Sequence, residues 1–350
     1  MTTNDSTEAG EAAVHRLTPV PDFGDRPGND DAELVPSYGS GSGSVPYDFD
    51  GVLVGTAEYE AGPTGATVIA IPAGARMAID ARGGAIGLTS GFEFHAHAIC
   101  LAGGSIYGLA AGAGVQDELL RRAGNRTSVG ALRLVSTAVI YDFAARDNAV
   151  YPDAALGRAA LLAAKTDRIP VGRVGAGSSA SSGKVDWGRC EFTGQGAAFG
   201  RYGELKVLVV TVVNPVGVIV DRSGAVVRGN YSSATGERHA TADDYEAALS
   251  EGSSPVTRNG NTTLTVVVTN VRLTDRELAF FGRQVHGSMH RAIQPFHTTH
   301  DGDTLFALTT DEVDLPPHGS SDRGVNAVSS IALATVASEL AWDAVLSSVS

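Results

Sequence analysis

The chain has 350 residues, 43% of them apolar, with 39 acidic against 26 basic side chains and a formal charge of −13. That length holds one large domain or two, and the negative balance argues against a nucleic-acid partner, because phosphate binding wants clustered cations and the one basic cluster is the pair Arg121–Arg122. No apolar run reaches 18 residues, so no membrane span is expected; the two cysteines, Cys100 and Cys190, cannot build a disulfide framework; and Met1–Glu11 lacks the basic start and apolar stretch of a secretory signal, so a cytoplasmic protein is expected.

Residues 1–46 are rich in Asp, Glu, Pro, Gly and Ser and end in Gly39-Ser-Gly-Ser-Gly-Ser44. They read as an acidic tail, mobile or draped over the surface, with Leu34, Val35 and Tyr38 available for an oligomer contact. Residues 47–350 read as a single domain. Val52–Val54 and Thr67–Ile71 are short strands about a turn at Pro63 and Gly65, and Asp80-Ala-Arg-Gly-Gly84 is a turn. Ser105–Arg122 reads as a helix with Ser105 as N-cap, Leu132–Tyr141 as a strand, and Ala154–Lys165 as an Ala/Leu-rich helix. Leu205–Val213 is β-branched and nearly continuous, which suits a strand buried on both faces; Asn214-Pro215 breaks it, and Val216–Val220 resumes. Gly229–Asn261 turns polar and reads as a long exposed connection, functional or cleavable, with a short helix around Asp243–Leu249. A second apolar strand starts abruptly at Thr262 and runs to Thr269. Thr274-Asp-Arg-Glu277 is a capping box, followed at helical spacing by Leu278, Phe281, Val285, Met289 and Ile293, with Pro295 ending the helix. Leu305–Leu308 is a strand. Val328–Leu346 is a closing helix with Val328, Ile331, Val336, Leu340 and Ala344 on its apolar face.

Four segments carry candidate chemistry. At Gly260-Asn261-Thr262 a polar loop meets an apolar strand at a threonine. A cut before Thr262 would place a hydroxyl and an α-amine on one residue, and that amine, with a pKa of about 7.7 to 8.0, is a base poised for neutral pH. The plain alternative is an ordinary strand threonine. His297-Thr-Thr-His-Asp-Gly-Asp303 sets Asp301 and Asp303 two apart, so that both carboxylates can face one pocket; a solvated turn, or a loose metal site using His297 and His300, is the other reading. Val174–Lys184 is Gly/Ser-rich but lacks the phosphate-loop pattern. Its Lys184 is one of three lysines in a chain that otherwise uses arginine, which suggests a use for a compact ammonium. Asn214 lies at the break between apolar strands, where its amide could donate to an oxyanion or serve the turn. His95, His97 and Cys100 lack a fourth zinc ligand. No metal or cofactor is expected.

In order along the chain, Gly62-Pro-Thr-Gly-Ala-Thr67, Asp80-Ala-Arg-Gly-Gly84, Leu101-Ala-Gly-Gly-Ser105, Gly183-Lys184, Asn214-Pro-Val-Gly217, Gly260-Asn-Thr-Thr263 and His297 through Thr304 together resemble the DmpA-type L-aminopeptidase/D-esterase family. The likeness extends to its branch that hydrolyses nylon-type 6-aminohexanoate oligomers, through Ala138–Phe143 and His290–His297. The resemblance implies an α+β fold, a four-layer αββα sandwich related to the N-terminal-nucleophile hydrolases. It implies self-cleavage between Asn261 and Thr262 into an α chain (1–261) and a β chain (262–350) that stay together. Carried over by position, Thr262 is the nucleophile and its amine the base; Lys184 keeps the site polar and positive; Asn214 donates to the oxyanion; Asp301 and Asp303 orient and tune Thr262; and Tyr141 assists the oxyanion or the substrate amide. Members with a serine nucleophile carry a serine-x-glutamate pair where this chain has its two aspartates. The implied activity is endo-type hydrolysis of linear amides, the implied assembly a tetramer of αβ units. An aminopeptidase or amidase of β- or D-amino-acid peptides, and an acyltransferase, are the alternatives on the same scaffold.

Overall fold

A computed structural model describes residues 15–17, 25–90, 94–253, 260–316 and 327–350. Nine strands form one hydrogen-bonded sheet: β1 (Leu53–Tyr59), β2 (Thr64–Ala81), β3 (Leu88–Ser90), β4 (His95–Ala102), β5 (Val135–Val139), β6 (Gln195–Tyr202), β7 (Leu205–Asn214), β8 (Thr262–Val271) and β9 (Thr304–Val313). Their order is β6-β7-β8-β9-β2-β4-β5-β3, with β1 also on β2. The pairs β8–β9 and β4–β5 are parallel.

This sheet makes two layers because β2 belongs to both. Its first part pairs with β1 and β4, its last part, Arg76–Ala81, with β9, and the register slips between Ala70 and Ala75. Pro72 cannot donate to a ladder and Gly74 sits at φ +85°, so the strand bends there and crosses from one layer to the other. Side chains then sort by parity. Ile69, Ile99, Leu101, Val210, Val212, Val266, Phe306 and Leu308 meet between the layers. Their neighbours Val68, Ala70 and Cys100 face outward onto α1 (Ala110–Arg122) and α2 (Ala154–Ala163). On the other side Val207, Val209, Val267 and Leu305 face α4 (Asp275–Ser288) and α5 (Ala327–Ser347), while α3 (Thr241–Ser250) lies on the connection before β8. Three cores between four layers are the expected αββα sandwich. The double-sided burial of Leu205–Val213 follows from this, since that strand has a core on each face.

Several local expectations fail for identifiable reasons. Gly104 and Ser105 have positive φ, so Ser105 cannot cap; a 3-10 turn, Ser105–Leu109, precedes α1. Helix α4 opens on the capping box as read, Thr274 and Glu277 each accepting from the other's backbone N–H. It ends at Ser288 rather than at Pro295: Ser288 Oγ donates to Val285 O at 2.7 Å, and Ile293 instead pairs with Ile219 in a separate small sheet. Helix α5 does not bury Ile331, which is 58% exposed. Its packed stripe is Leu333, Ala337, Leu340, Ala341, Ala344 and Val345, whose small members let it approach β6 so closely that a Cβ on Gly196 would lie 1.8 Å from Ala344 O. By length and composition this helix could cross a membrane; here its apolar side covers the sheet.

The region read as a tail is partly built into the body. Gly43–Pro46 pairs antiparallel with Arg168–Val171, Ala149 N donates to Pro27 O, and Gly39 N donates to Glu58 Oε2. Gly229–Asn261 is likewise less exposed than its polarity suggested: Asn230 and Thr241 are buried, and Glu191 receives Gly229 N and the Arg238 guanidinium. The expected cleavable stretch falls partly on residues 254–259, outside the described residues.

Candidate active site

The end of β7 and the start of β8 stand side by side, with Asn214 opposite Thr262 in the antiparallel register. On the other flank of β8, the loop leading into β9 bridges Asn261 to Asp301. The sheet therefore collects at one point the residues that the sequence placed in three distant motifs. A fourth arrives through Gly183 and Lys184, whose backbone N–H groups bond Gly217 O and Val216 O.

Lys184 is fully buried, and its ammonium donates to Asn214 O (2.9 Å) and Asn214 Oδ1 (2.7 Å). Burial pulls its pKa down to about 7, against the opposing pull of Asp301 and Asp303. Asn214 is fully engaged: Oδ1 also accepts from Ser181 N, and Nδ2 donates to Tyr141 O (3.1 Å) and Gly260 O (3.4 Å). Tyr141 packs on the chain just before Thr262, so closely that a Cβ on Gly260 would lie 2.5 Å from its ring.

Both aspartates are fully buried. Asp301 accepts from Thr298 N and Oγ1 and from Val216 N. Asp303 accepts from Thr263 N at 2.6 Å through Oδ1, and from both N and Nδ1 of His297 through Oδ2. Burial raises both carboxyls, Asp303 to about 6, and Asp303's charge raises Asp301 further. Of the two carboxylates, Asp303 thus holds the backbone N–H of Thr263, next to Thr262, while Asp301 holds Thr298 and Val216. The Thr262 hydroxyl donates to Asn261 O at 2.5 Å, and the same oxygen accepts Gly302 N–H at 2.7 Å.

Thr262, Asn261, Lys184, Asn214, Asp301, Asp303 and Tyr141 are thus all brought together. Two contributions were missed. Gly302, hidden between the two aspartates of the motif, puts its N–H on the Asn261 carbonyl. His297 is not a solvated turn residue: burial pushes it down to about 4, so a neutral ring donates from Nδ1 to Asp303. The Asp80–Gly84 motif also gains a reason. A Cβ on Gly83 would lie 2.0 Å from Asp301 O and one on Gly84 2.3 Å from Thr299 O, so the glycine pair lets the aspartate loop settle on the end of β2. Cys100, by contrast, lies in the outer core under α1 and α2, and no group of three or more His, Cys, Asp or Glu among the described residues could hold a metal.

The sequence pattern of peptidase family S58 matches residues 47–350. The chain belongs to peptidase family S58. This S58 chain is 60% identical over 331 residues, 95% of its own length and 93% of the other's, to the 6-aminohexanoate-oligomer endohydrolase of Paenarthrobacter ureafaciens. It is 59% identical over the same spans to the protein of that name from Kocuria. An uncharacterized aminopeptidase of Mycobacterium tuberculosis is 35% identical over 72% of the S58 chain and 75% of its own. Among solved structures, a Burkholderia β-aminopeptidase superposes with a TM-score of 0.59 at 18% identity, covering 87% of each chain. The L-aminopeptidase D-Ala-esterase/amidase of Ochrobactrum anthropi, described as a variant of the Ntn hydrolase fold, gives 0.60 at 15% identity over 85% and 84%. The S58 chain shares that fold.

Proposed function

We propose that this chain cuts its own Asn261–Thr262 bond and then hydrolyses internal amide bonds of 6-aminohexanoate oligomers. The substrate assignment is carried by the shared name of two relatives at 59–60% identity over nearly the whole of both chains. The chemistry rests on the contact between the Thr262 hydroxyl and the Asn261 carbonyl oxygen.

In self-cleavage the Thr262 oxygen adds to the Asn261 carbonyl carbon, the C–N bond breaks, and the hydroxyl proton ends on the freed α-amine. Water then hydrolyses the resulting ester, which leaves an Asn261 carboxylate and restores the hydroxyl. The new amine, of a type whose unperturbed pKa is about 7.7 to 8.0, takes the hydroxyl proton when Thr262 attacks a substrate amide and passes it to the leaving amine. Asn214, held by Lys184, supplies amide hydrogens on the side that the departing chain end vacates, and Tyr141 lines that side. Asp301 and Asp303 fix the backbone on which Thr262 rides. The acyl-enzyme is hydrolysed by water.

We further propose a cytoplasmic tetramer of αβ units. Tyr38 (61% exposed) and Leu162 (55% exposed), which line one surface groove, are the apolar groups that support an assembly.

Intact mass of the purified protein beside Thr262→Ala is the test. Pieces of about 27 and 9 kDa, scaled by length from 35.9 kDa, with the smaller starting at Thr262 and absent from the variant, are expected. A defined linear oligomer followed by mass spectrometry should yield internal products first; release of single end units only would sink the endo assignment.

A further inference from the structure

We infer that the backbone N–H of Gly302 is the oxyanion donor of the self-cleavage step, an inference that rests on the self-cleavage proposed above. When the Thr262 oxygen adds to Asn261, negative charge develops on the Asn261 oxygen. Among the described residues, the Thr262 hydroxyl reaches that oxygen at 2.5 Å and Gly302 N–H at 2.7 Å. The first gives up its hydrogen as it becomes the nucleophile. The second remains. The side-chain donor of the site is committed elsewhere, since Asn214 Nδ2 is on Tyr141 O and Gly260 O, and Lys184 Nζ is on Asn214.

The surrounding structure holds this one amide still. Asp301 is fixed by Thr298 and Val216 N, Asp303 by Thr263 N and His297, and the main chain is tied down by Ala85 N on Asp301 O (2.9 Å) and Arg82 N on Asp303 O (3.0 Å). The two buried aspartates thereby act as positioning residues for the peptide between them. A donor that neither titrates nor changes rotamer, and is already aimed, needs no reorganisation as charge appears. The residue must be glycine for a separate reason: a Cβ there would lie 2.6 Å from Thr262 Oγ and 2.6 Å from Ala85 O.

The test replaces Gly302 by glycolic acid during translation in vitro, which exchanges its N–H for an ester oxygen and leaves the side chain unchanged. Self-cleavage should slow on the order of 100-fold. A control replaces Ala85 by lactic acid, which removes a backbone bond to the same loop but not the donor, and should slow cleavage by about threefold or less. Equal rates in the Gly302 ester and the natural chain, or equal slowing by both esters, would overturn the assignment. Failure of the natural chain to cleave at all would instead overturn the self-cleavage reading. If the Gly302 ester does not fold, a crystal structure of the Thr262→Ala precursor decides: Gly302 N at about 3 Å from Asn261 O is expected, and a separation beyond about 3.5 Å removes the donor.

Discussion

Lys184 is the residue whose position asks most of its surroundings. A fully buried ammonium with two oxygen acceptors, both on Asn214, is held by geometry against the cost of desolvation. Lys184→Met keeps the volume and removes the charge. Self-cleavage should slow and the melting temperature at pH 7 should fall, since Lys184→Met leaves two buried Asn214 oxygens without this donor and the buried aspartates without a nearby cation. The pH dependence has a definite sign. The folded pKa of about 7 lies below the ordinary 10.5, so between those values the unfolded chain holds more protons. Stability should therefore rise with pH across that window, and the rise should be smaller in Lys184→Met; thermal melting at a series of pH values, in a Thr262→Ala background, measures both. At this scale the sequence was informative where residue type was unusual. A lysine in an arginine-using chain, a threonine opening an apolar strand and an asparagine breaking one all mark the site. Gly302 was not legible, because its contribution is a backbone N–H that no side-chain pattern announces, and the motif named His297 without revealing that its ring would bond Asp303.

Elements were legible where a side-chain period met a simple surface, and were misread where backbone contact decided. The strands β7 and β8 stood out because a core on both faces demands unbroken apolar sequence. The strand β2 did not: read as Thr67–Ile71, it runs from Thr64 to Ala81, through a proline and a glycine that look like a stop and act as a bend. The helix pair α1 and α2 shows contact of the second kind. A Cβ on Gly114 would sit 1.7 Å from Ala154 O, and one on Gly157 1.9 Å from Ala111 O, so two glycines let the helices touch backbone to backbone. Gly114→Ala should lower stability by about 1–3 kcal/mol or more, whereas Gly130→Ala, with nothing within 4 Å of the new methyl, should leave it within about 0.5 kcal/mol. Urea titration of both variants checks the contrast. An equal loss in both would show that the helix crossing relaxes freely.

At the scale of the whole molecule, the boundary between 261 and 262 does not separate two bodies. The strands β8 and β9 and the helices α4 and α5 follow it, yet β8 is hydrogen-bonded to β7 and β9 to β2, both from the preceding part of the chain. Cleavage at this point should leave the pieces together: one peak in native size-exclusion chromatography, two bands only after denaturation. Pieces that part in native buffer would contradict the strand pairing. The sandwich class was legible only through the family motifs, and the mixture of long apolar strands and amphipathic helices was compatible with it. That residues 25–46 lie on the body was one of the two readings their composition allowed, and the main-chain hydrogen bonds that attach them are what composition does not reveal.

The placement of β8 and β9 between strands of the longer piece has a consequence for the life of the molecule. An uncut chain finds this arrangement by closing loops within itself, at a cost that does not depend on how much protein is present. Once cut and melted, the same arrangement requires two separate chains to meet, and the short one must insert its pair of strands into a gap in a sheet that lacks its centre. Recovery then depends on concentration, and each half meanwhile exposes unpaired strand edges that invite aggregation. For a chain cut as proposed, topology then fixes the order of events: fold first, cut second, with no return. Such a cut molecule would persist by resisting opening rather than by repairing it.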